Sequence, residues 1–306
     1  MNPTASAGAT VAAVLRCGRH VVELGETRVM GIVNVTPDSF SDGGRFRDAA
    51  AAIAFARNLR DDGAAIIDVG GESTRPGAAP VAEADELARV LPVVEALAGD
   101  GAVVSVDTMK PGVMRAAIAA GASMVNDVRA LQADGALDAV AMSGAAVCLM
   151  HMQGEPRSMQ AEPRYDDVVA EVAAFLRERA RACEAAGIAR ERIAVDPGFG
   201  FGKSVAHNVA LLRELRTVAA LGYPVVAGLS RKSTLGALTG RPAGERLAAS
   251  VAAALTAAAN GAAIVRVHDV RETVDALRVW SAVQAARAQR ESSLPPPTRL
   301  TVQSHP

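Results

Sequence analysis

Polar and ionisable side chains stand at the ends of eight short, apolar segments of the chain. They are Asn34, Asp68, Asp107, Asn126 with Asp127, His151, Asp196, Ser230 and His268. If the eight segments are strands of one closed parallel barrel, their ends converge on a single mouth, which is where barrel enzymes carry out catalysis. The set therefore predicts an active site. Individually, Asp68, Asp127 and His151 are equally compatible with hydrogen-bonded structural roles.

Basic groups gather around the last two of these segments. Residues 228–233 (GLSRKS) follow the seventh segment, and Arg266 stands two residues before His268 in the eighth. Because side chains alternate along a strand, Arg266 and His268 face the same side. Many barrels hold phosphate at this position, with the help of a helix N-terminus such as the one expected at residues 269–271. The pattern therefore predicts an anion site.

Two segments, after the first and second predicted strands, are too long for tight turns. Residues 36–48 combine Pro37, two glycines, charged residues and Phe40, a composition that predicts a mobile lid. Residues 70–77 (GGESTRPG) combine glycines, hydroxyls and a cation, which suits closing over an anion. The alternative for the second segment is a long solvated loop.

A third glycine-rich segment, residues 196–204 (DPGFGFGKS), superficially matches a phosphate-binding P-loop. The spacing is wrong, because a P-loop has four residues between its glycines and only three lie between Gly198 and Gly202. We interpret it as a flexible loop whose Phe199 or Phe201 lines a ligand pocket.

The elements that must position these residues alternate between strands and helices. The predicted strands are residues 29–35, 65–69, 103–107, 123–128, 145–150, 192–196, 225–229 and 263–267. The segments between them carry apolar residues at helical spacing, as at Val168, Val172 and Leu176. A glycine precedes each strand from the second onward and indicates a helix C-cap: Gly63, Gly101, Gly121, Gly144, Gly187, Gly222 and Gly261. Eight such units in roughly 240 residues predict a (β/α)8 TIM barrel rather than a doubly wound sheet.

The barrel is expected to form a single domain over residues 24–289. Residues 1–23 are expected to form a short N-terminal extension, and the segment before the first unit, residues 1–27, is interpreted as a hairpin or plug. The Pro- and Ser-containing residues 290–306 are expected to form a flexible C-terminal tail. Neither end is expected to carry chemistry.

Composition excludes several classes of function. Among 306 residues, 33 acidic side chains nearly balance 32 basic ones, so no overall charge favours nucleic acid or an anionic membrane. The most apolar stretch, residues 248–259, is too short and too rich in alanine to span a membrane. Three cysteines without paired or metal-type spacing indicate free thiols and a cytoplasmic protein.

The motifs together resemble those of the dihydropteroate synthase family over about residues 24–285. The two longest are residues 30–44 (MGIVNVTPDSFSDGG) and residues 68–77 (DVGGESTRPG). Shorter matches are SVDT at 105–108, NDV at 126–128, DPGFGFGK at 196–203, SRKS at 230–233 and RVHD at 266–269. The resemblance implies the barrel fold. It also implies the coupling of (7,8-dihydropterin-6-yl)methyl diphosphate to 4-aminobenzoate, with release of diphosphate and 7,8-dihydropteroate.

The resemblance also implies roles for individual residues. The pterin would be bound by Asp107, Asn126, Asp196, Lys232 and Arg266, with Asp196 accepting two N–H donors of the ring and Arg266 lying against its face. The diphosphate would be bound by Asn34, Thr74, Arg266 and His268. Asn34 would also be a ligand of the cofactor Mg²⁺, whose remaining ligands would be diphosphate oxygens and water.

The aminobenzoate pocket implied by the resemblance is formed by Phe40, Arg75, Pro76, Phe201, Ser230 and Lys232, with Pro37 in the lid. The expected mechanism breaks the bond to diphosphate first and leaves a pterin-stabilised cation. Asp107 would stabilise this cation, and Asp107, Lys232, Arg266 and His268 form the expected catalytic set. Lid closure would exclude water from it. The family also implies a homodimer.

Two alternative functions stay open at this stage. A pterin-dependent methyltransferase would share the pterin contacts but has no need of a diphosphate site. A non-catalytic pterin-binding paralogue would keep the fold and lose turnover. The two long motifs and the pair Arg266 and His268 favour the synthase over the first, and intact Asn34, Thr74, Arg75 and Lys232 favour it over the second.

Overall fold

The computed structural model describes residues 14–36, 45–73, 79–154, 159 and 162–293, and side chains are described outside 45–48 and 287–293. Its strands are β1 (Val14–Cys17), β2 (His20–Glu23), β3 (Arg28–Asn34), β4 (Ile66–Gly70), β5 (Val104–Asp107), β6 (Met124–Asp127), β7 (Ala146–Met150), β8 (Ile193–Asp196), β9 (Val226–Ala227) and β10 (Ile264–Val267). Its helices are α1 (Arg45–Asp61), α2 (Glu83–Gly99), α3 (Pro111–Ala119), α4 (Ala136–Ala141), α5 (Val168–Ala185), α6 (Val205–Arg213), α7 (Leu215–Ala219), α8 (Ser233–Thr239), α9 (Leu247–Ala259) and α10 (Val270–Ser293).

Strands β3 to β10 are the eight predicted strands, and they form one parallel sheet. The order in the sheet is β8-β7-β6-β5-β4-β3-β10-β9. A parallel bridge between Val195 and Val225, together with the bond from the Val195 N–H to the Pro224 carbonyl, joins the two ends. With helices between the strands, this is a (β/α)8 barrel, which confirms the predicted fold class. Strand β9 ends two residues early because the Leu229 carbonyl accepts the Lys232 N–H and begins a turn.

Apart from the polar residues toward their carboxyl ends, the strands are mainly apolar, because both faces of the sheet are covered. Outward-facing residues such as Val33, Val69 and Val106 pack with the helices in the larger core. Inward-facing residues such as Met30 and Met124 form a second core in the lower part of the barrel. The hydrophobic core thus holds the strand ends above it in fixed positions.

The N-terminal hairpin closes the base of the barrel. Strands β1 and β2 pair antiparallel, as expected of a hairpin. Leu15, Cys17 and Val22 are buried against the second core, beside Met30 and Ile66. The interpretation as a plug is therefore correct for this segment.

Six of the seven glycines predicted as helix C-caps have the left-handed backbone conformation that favours glycine. The prediction is wrong for Gly144, whose φ is not positive in the described backbone. Its carbonyl instead accepts the N–H of Gly18 from the hairpin, at 2.9 Å. A Cβ at Gly144 would lie 3.6 Å from the Cα of Gly18, so the small residue allows the plug to approach.

Several other predictions are refined by the structure. Residues 45–48 of the predicted lid belong to helix α1, and residues 37–44 lie outside the described residues. Helix α10 runs through residues 290–293 of the predicted tail, and residues 294–306 lie outside the described residues. None of the described helices is long and apolar enough to cross a membrane.

Candidate active site

The register of the sheet brings the predicted site residues into one layer at the mouth. Asn34 pairs with Gly70, Gly70 with Asp107, and Asp107 with Asn126. Arg266 on β10 pairs with Met30, four residues before Asn34 on β3, and its long side chain reaches up to Asp107 in this layer. Side chains from four neighbouring strands therefore converge on the same end of the barrel.

Arg266 is held between two carboxylates. Its Nε lies 2.6 Å from Asp68 Oδ2, and its Nη2 lies 2.7 Å from Asp107 Oδ2. Asp68 is completely buried, and its Oδ2 also accepts the Asn126 amide at 3.2 Å. The Oδ1 atoms of Asp68 and Asn126 are buried and have no hydrogen-bond partner among the described residues. This network has unused acceptors, which a ligand with several N–H donors would satisfy.

The ionisation of this network depends on burial and on the two opposite charges. Burial raises the pKa of Asp107 to about 7, while the guanidinium of Arg266 acts in the opposite direction. Burial lowers the pKa of Arg266, but the carboxylates of Asp68 and Asp107 outweigh it and raise the pKa overall. Arg266 is thus a permanent cation, whereas Asp107 titrates near neutral pH.

Asp196 and Lys232 form the opposite wall of the mouth. Asp196 is buried, and its Oδ1 accepts the Gly198 N–H at 2.7 Å. The Lys232 ammonium donates to the Phe199 carbonyl at 2.5 Å and lies 4.6 Å from the centroid of the Phe201 ring. Burial lowers the pKa of Lys232 to about 8, opposed by Asp196, and burial raises the pKa of Asp196, opposed by Lys232. The pair therefore presents one acceptor and one donor to a ligand.

The predicted anion site lies beside this wall. Ser230 Oγ lies 3.0 Å from His268 Nδ1 and also accepts the His268 backbone N–H, so the serine hydroxyl orients the imidazole. Arg231 has φ +59° and forms an ion pair with Asp269. A cavity of about 610 Å³ is lined by His268, Arg231 and Asp269, and also by Asn34. It adjoins the layer that contains Asp107.

The turn that carries Lys232 is fixed from behind by helix α9 and the segment before it. Arg246 donates to the carbonyls of Arg231 and Lys232, at 2.9 and 3.2 Å. Ser250 Oγ accepts the Arg231 N–H at 3.0 Å. These bonds compensate the left-handed conformation at Arg231, which disfavours residues with a side chain.

Two of the strand-end residues have structural partners. Asp127 accepts the backbone N–H groups of Arg129 and Leu131, each at 2.8 Å, and so holds the loop after β6. His151 Nδ1 lies 2.9 Å from the ammonium of Lys203, and burial lowers the pKa of His151 to about 3. The sequence analysis gave Asp127, His151 and Asp68 the same interpretation. Only the structure shows that Asp68 differs from the other two, because it contacts Arg266.

The described residues do not cover the whole predicted site. Phe40, Thr74, Arg75 and Pro76 lie outside them. Phe199 is 1% exposed and packs in the core, so its backbone carbonyl, and not its ring, faces the site. Phe201 is the aromatic ring that faces Lys232. Among the described residues no three His, Cys, Asp or Glu side chains are close enough to form a metal site.

Comparison with known proteins first defines the class of the chain. The family described as "Pterin binding enzyme" matches residues 30–268. Dihydropteroate synthase of Escherichia coli strain K12 is 51% identical over 270 residues, covering 88% of this chain and 96% of that protein. The enzyme of Neisseria meningitidis serogroup B is 51% identical over 277 residues, covering 88% and 97%.

Solved structures agree with the sequence relatives. Xanthomonas albilineans dihydropteroate synthase with 4-aminobenzoic acid has a TM-score of 0.85 and 56% identity, covering 89% of this chain and 98% of that one. The Burkholderia cenocepacia enzyme complexed with 7,8-dihydropteroate has a TM-score of 0.84 and 52% identity, covering 91% and 99%. The chain belongs to the pterin-binding enzymes and, within them, to the dihydropteroate synthases, which are transferases.

Proposed function

We propose that the chain condenses (7,8-dihydropterin-6-yl)methyl diphosphate with 4-aminobenzoate, producing 7,8-dihydropteroate and diphosphate in folate biosynthesis. The observation that carries the proposal is the position of Arg266 between Asp68 and Asp107, with unpaired acceptors at its side. A planar guanidinium among carboxylates and an amide suits a flat heterocycle that carries both N–H donors and a diphosphate.

The pterin is bound by Asp107, Asn126, Asp196, Lys232 and Arg266 in this proposal. The half of the site with Asp196 and Lys232 offers adjacent acceptor and donor groups for the pyrimidine edge. Asp196 has one oxygen bonded to the Gly198 N–H, which fixes the orientation of its carboxylate. Asn126 is fixed in the same way by its bond to Asp68. The ring therefore enters a site whose polar groups are already oriented.

The diphosphate is bound by Asn34, Arg266 and His268, together with Thr74 outside the described residues. Asn34 and His268 line the same cavity, and the Ser230 hydroxyl orients His268. The donor chemistry of Asn34 fits Mg²⁺, because this ion is commonly held by one or two protein oxygens and by substrate phosphates. When bound, the ion would neutralise charge on the diphosphate. Its affinity should therefore depend on the diphosphate.

The aminobenzoate is bound next to Lys232, by Phe201 and Ser230 with Phe40, Arg75 and Pro76. The Lys232 ammonium lies above the Phe201 ring, so a cation and an apolar surface are adjacent. This pair suits 4-aminobenzoate, which has both a carboxylate and an aromatic ring. Because the Ser230 hydroxyl already contacts His268, its contact with this substrate would couple the two halves of the site.

The residues of this chain promote the reaction mainly through electrostatics. The bond between the pterin methylene carbon and the diphosphate oxygen breaks, and both bonding electrons leave with diphosphate. Arg266 and His268 stabilise the departing charge, while ionised Asp107 stabilises the positive charge that develops on the pterin. The aryl amine then attacks the methylene carbon and loses a proton. The catalytic set is Asp107, Lys232, Arg266 and His268.

A diphosphate-release assay tests the proposed function. Purified protein is incubated with Mg²⁺ and both substrates, and diphosphate and dihydropteroate are measured, with a matched reaction that lacks 4-aminobenzoate. We expect release that depends on 4-aminobenzoate and equals dihydropteroate formation. Pterin binding without release would indicate a non-catalytic paralogue, and release independent of 4-aminobenzoate would contradict the condensation.

The proposal includes a homodimer. Helix α9 contacts both α8 and α10, and the three helices expose large apolar side chains: Leu238, Leu247, Val279 and Val283. Val279 is 67% exposed and Val283 60% exposed, one turn apart on α10. Sedimentation of the wild type and of Val279→Asp/Val283→Asp tests this surface. We expect the wild type to sediment as a dimer and the double variant to sediment as a monomer.

Two further assignments belong to the proposal. The division into an extension (1–23), a barrel (24–289) and a tail (290–306) is supported by the separate two-stranded sheet of the hairpin. A cytoplasmic location is supported by Cys17, Cys148 and Cys183, which are buried and free.

A further inference from the structure

Lys203 is a buried lysine to which the proposed function assigns no role. Its side chain enters the barrel wall from the loop after β8, and the residue is only 3% exposed. The ammonium donates to the carbonyls of Gly198 and Phe201, each at 2.9 Å, and to the carbonyl of His151 at 3.3 Å. The His151 Nδ1 lies 2.9 Å away and completes the set. A buried cation with this many partners imposes one geometry on them.

These carbonyls belong to two loops that are in tight contact. A Cβ on Gly198 would lie 1.9 Å from the His151 carbonyl oxygen, and one on Gly202 would lie 2.3 Å from the carbonyl oxygen of Gln153. Both glycines have positive φ. Lys203 thus joins the loop after β8 to the loop after β7, and glycine allows the approach.

The loop that Lys203 holds carries the contacts of Lys232. The Phe199 carbonyl accepts the Lys232 ammonium, and the ring of Phe201 lies beneath it. A Cβ on Gly200 would lie 3.3 Å from the Lys232 side chain, so the loop and this lysine are closely packed. The backbone between two residues bonded to Lys203, Gly198 and Phe201, is therefore the backbone that locates Lys232.

We propose that Lys203 is a positioning residue for pterin recognition. By gathering the carbonyls of His151, Gly198 and Phe201, it fixes the loop that holds Lys232 beside Asp196. It makes no contact with substrate. The role rests on the proposed function, because it concerns the pterin half of that site and leaves the diphosphate half, with Asn34 and His268, untouched.

The test compares binding of two separate probes to the full chain. Calorimetry measures the Kd of 6-hydroxymethyl-7,8-dihydropterin and, separately, the Kd of inorganic diphosphate with Mg²⁺. For Lys203→Met we expect pterin binding to weaken about tenfold, as for loss of one charge-assisted hydrogen bond at Lys232. Diphosphate binding should stay within twofold of wild type. Steady-state kinetics should show the change in KM for the pterin substrate more than in kcat.

Arg192→Met is the matched control. Arg192 is also a partly buried cation that holds carbonyls, those of Ala145 and Val140, but at the opposite end of the barrel. We expect it to lower the melting temperature without changing either Kd. A merely structural role of Lys203 would give the same pattern as this control, or would weaken both probes equally, and either result would overturn the proposal.

A second variant covers the case in which Lys203→Met does not fold. Asn208→Ala removes the acceptor of the Gly200 N–H, at 2.7 Å in the same loop. It should weaken pterin binding, to a smaller degree, and leave diphosphate binding unchanged; unchanged pterin binding would overturn the proposal. Failure of the wild type itself to bind the pterin would instead remove the proposed function and this role with it. Wild-type binding combined with unaffected variants would remove only the role of Lys203.

Discussion

The guanidinium of Arg266 and the carboxylate of Asp107 lie 2.7 Å apart and bond to each other. Both residues are proposed to act on the same substrate, one on the diphosphate and the ring face, the other on the developing cation. In the chain without substrate each compensates the charge of the other. Binding of the pterin diphosphate would give Arg266 a third anion, so that Asp107 becomes available to the positive charge formed later.

This relationship predicts an unequal effect of Asp107→Ala. We expect kcat to fall by about 10²- to 10³-fold, as for removal of one preorganised group that stabilises transition-state charge. Pterin binding should weaken by less than about tenfold, because cation stabilisation is needed mainly in the transition state. Steady-state kinetics and calorimetry with the pterin provide the two numbers. Equal losses in both would contradict the role of Asp107.

The two shifted pKa values predict a bell-shaped pH profile of kcat/KM. Burial raises the pKa of Asp107 to about 7, so the ionised form needed for catalysis increases as pH rises through 7. Burial lowers the pKa of Lys232 to about 8, so the protonated form is lost above that pH. Activity should therefore be greatest between the two values.

Variants assign the two limbs of that profile. Asp107→Asn should remove the acid limb from the remaining activity, and Lys232→Arg should remove the alkaline limb, because a guanidinium stays charged over this range. An acid limb that persists in Asp107→Asn would come from another group, the substrate diphosphate included.

Asp68 is predicted to contribute to stability through its contact with Arg266. Asp68→Asn removes the buried charge that compensates Arg266, and it should cost about 3 kcal/mol of unfolding free energy, at the lower end for a broken buried ion pair. The lower end applies because Asp107 still contacts the guanidinium. Denaturant unfolding measures this change. Asp62→Asn, which breaks the exposed ion pair with Arg271, is the control and should unfold like the wild type.

The order of substrate binding can be predicted from the mobile lid that the sequence indicates at residues 36–48. We expect 4-aminobenzoate to bind well only when the pterin diphosphate, or the pterin with diphosphate, is present, since part of its proposed pocket comes from residues 36–48 and 70–77. Titration calorimetry of 4-aminobenzoate into the protein, with and without pterin and diphosphate, measures the difference. Undiminished affinity for the protein alone would exclude ordered binding.

The hairpin is predicted to matter for stability and not for chemistry. Leu15 is fully buried, and Leu15→Ala should cost about 2–5 kcal/mol, as for other large-to-small core substitutions. Val21→Ala on the exposed side of the same hairpin is the control, with a change within about 0.5 kcal/mol. Kinetic constants of both variants should equal those of the wild type below the melting temperature. A changed KM in Leu15→Ala would show that the base of the barrel influences the mouth.

The sequence predicted the fold well because the barrel repeats one local pattern. Each strand is a short β-branched run, and six of the seven glycines before strands adopt the conformation that a C-cap requires. Gly144 failed because its reason is a contact with Gly18, more than a hundred residues away in sequence. Local patterns cannot reveal such contacts.

In the candidate site, too, local sequence patterns predicted some features, whereas contacts between distant residues determined the others. The strand ends indicated which residues meet at the mouth, but Asp68, Asp127 and His151 looked alike. Their difference is set by their partners: a guanidinium for Asp68, backbone N–H groups for Asp127 and a lysine for His151. Asp68 and Gly70 are two residues apart and therefore lie on the same side of β4. This spacing was the feature of the sequence that indicated an inward orientation of the Asp68 side chain. It was insufficient without knowledge of Arg266.

The hairpin also determines how molecules pass through the reaction cycle. Leu15, Cys17 and Val22 close the base beneath the packed inward-facing residues such as Met30 and Met124, so substrates reach the site only from the mouth. Substrates and products then enter and leave through the same opening. Diphosphate that dissociates slowly would block binding of the next pterin substrate. Product release, and not bond breaking, would then limit the rate of repeated turnover.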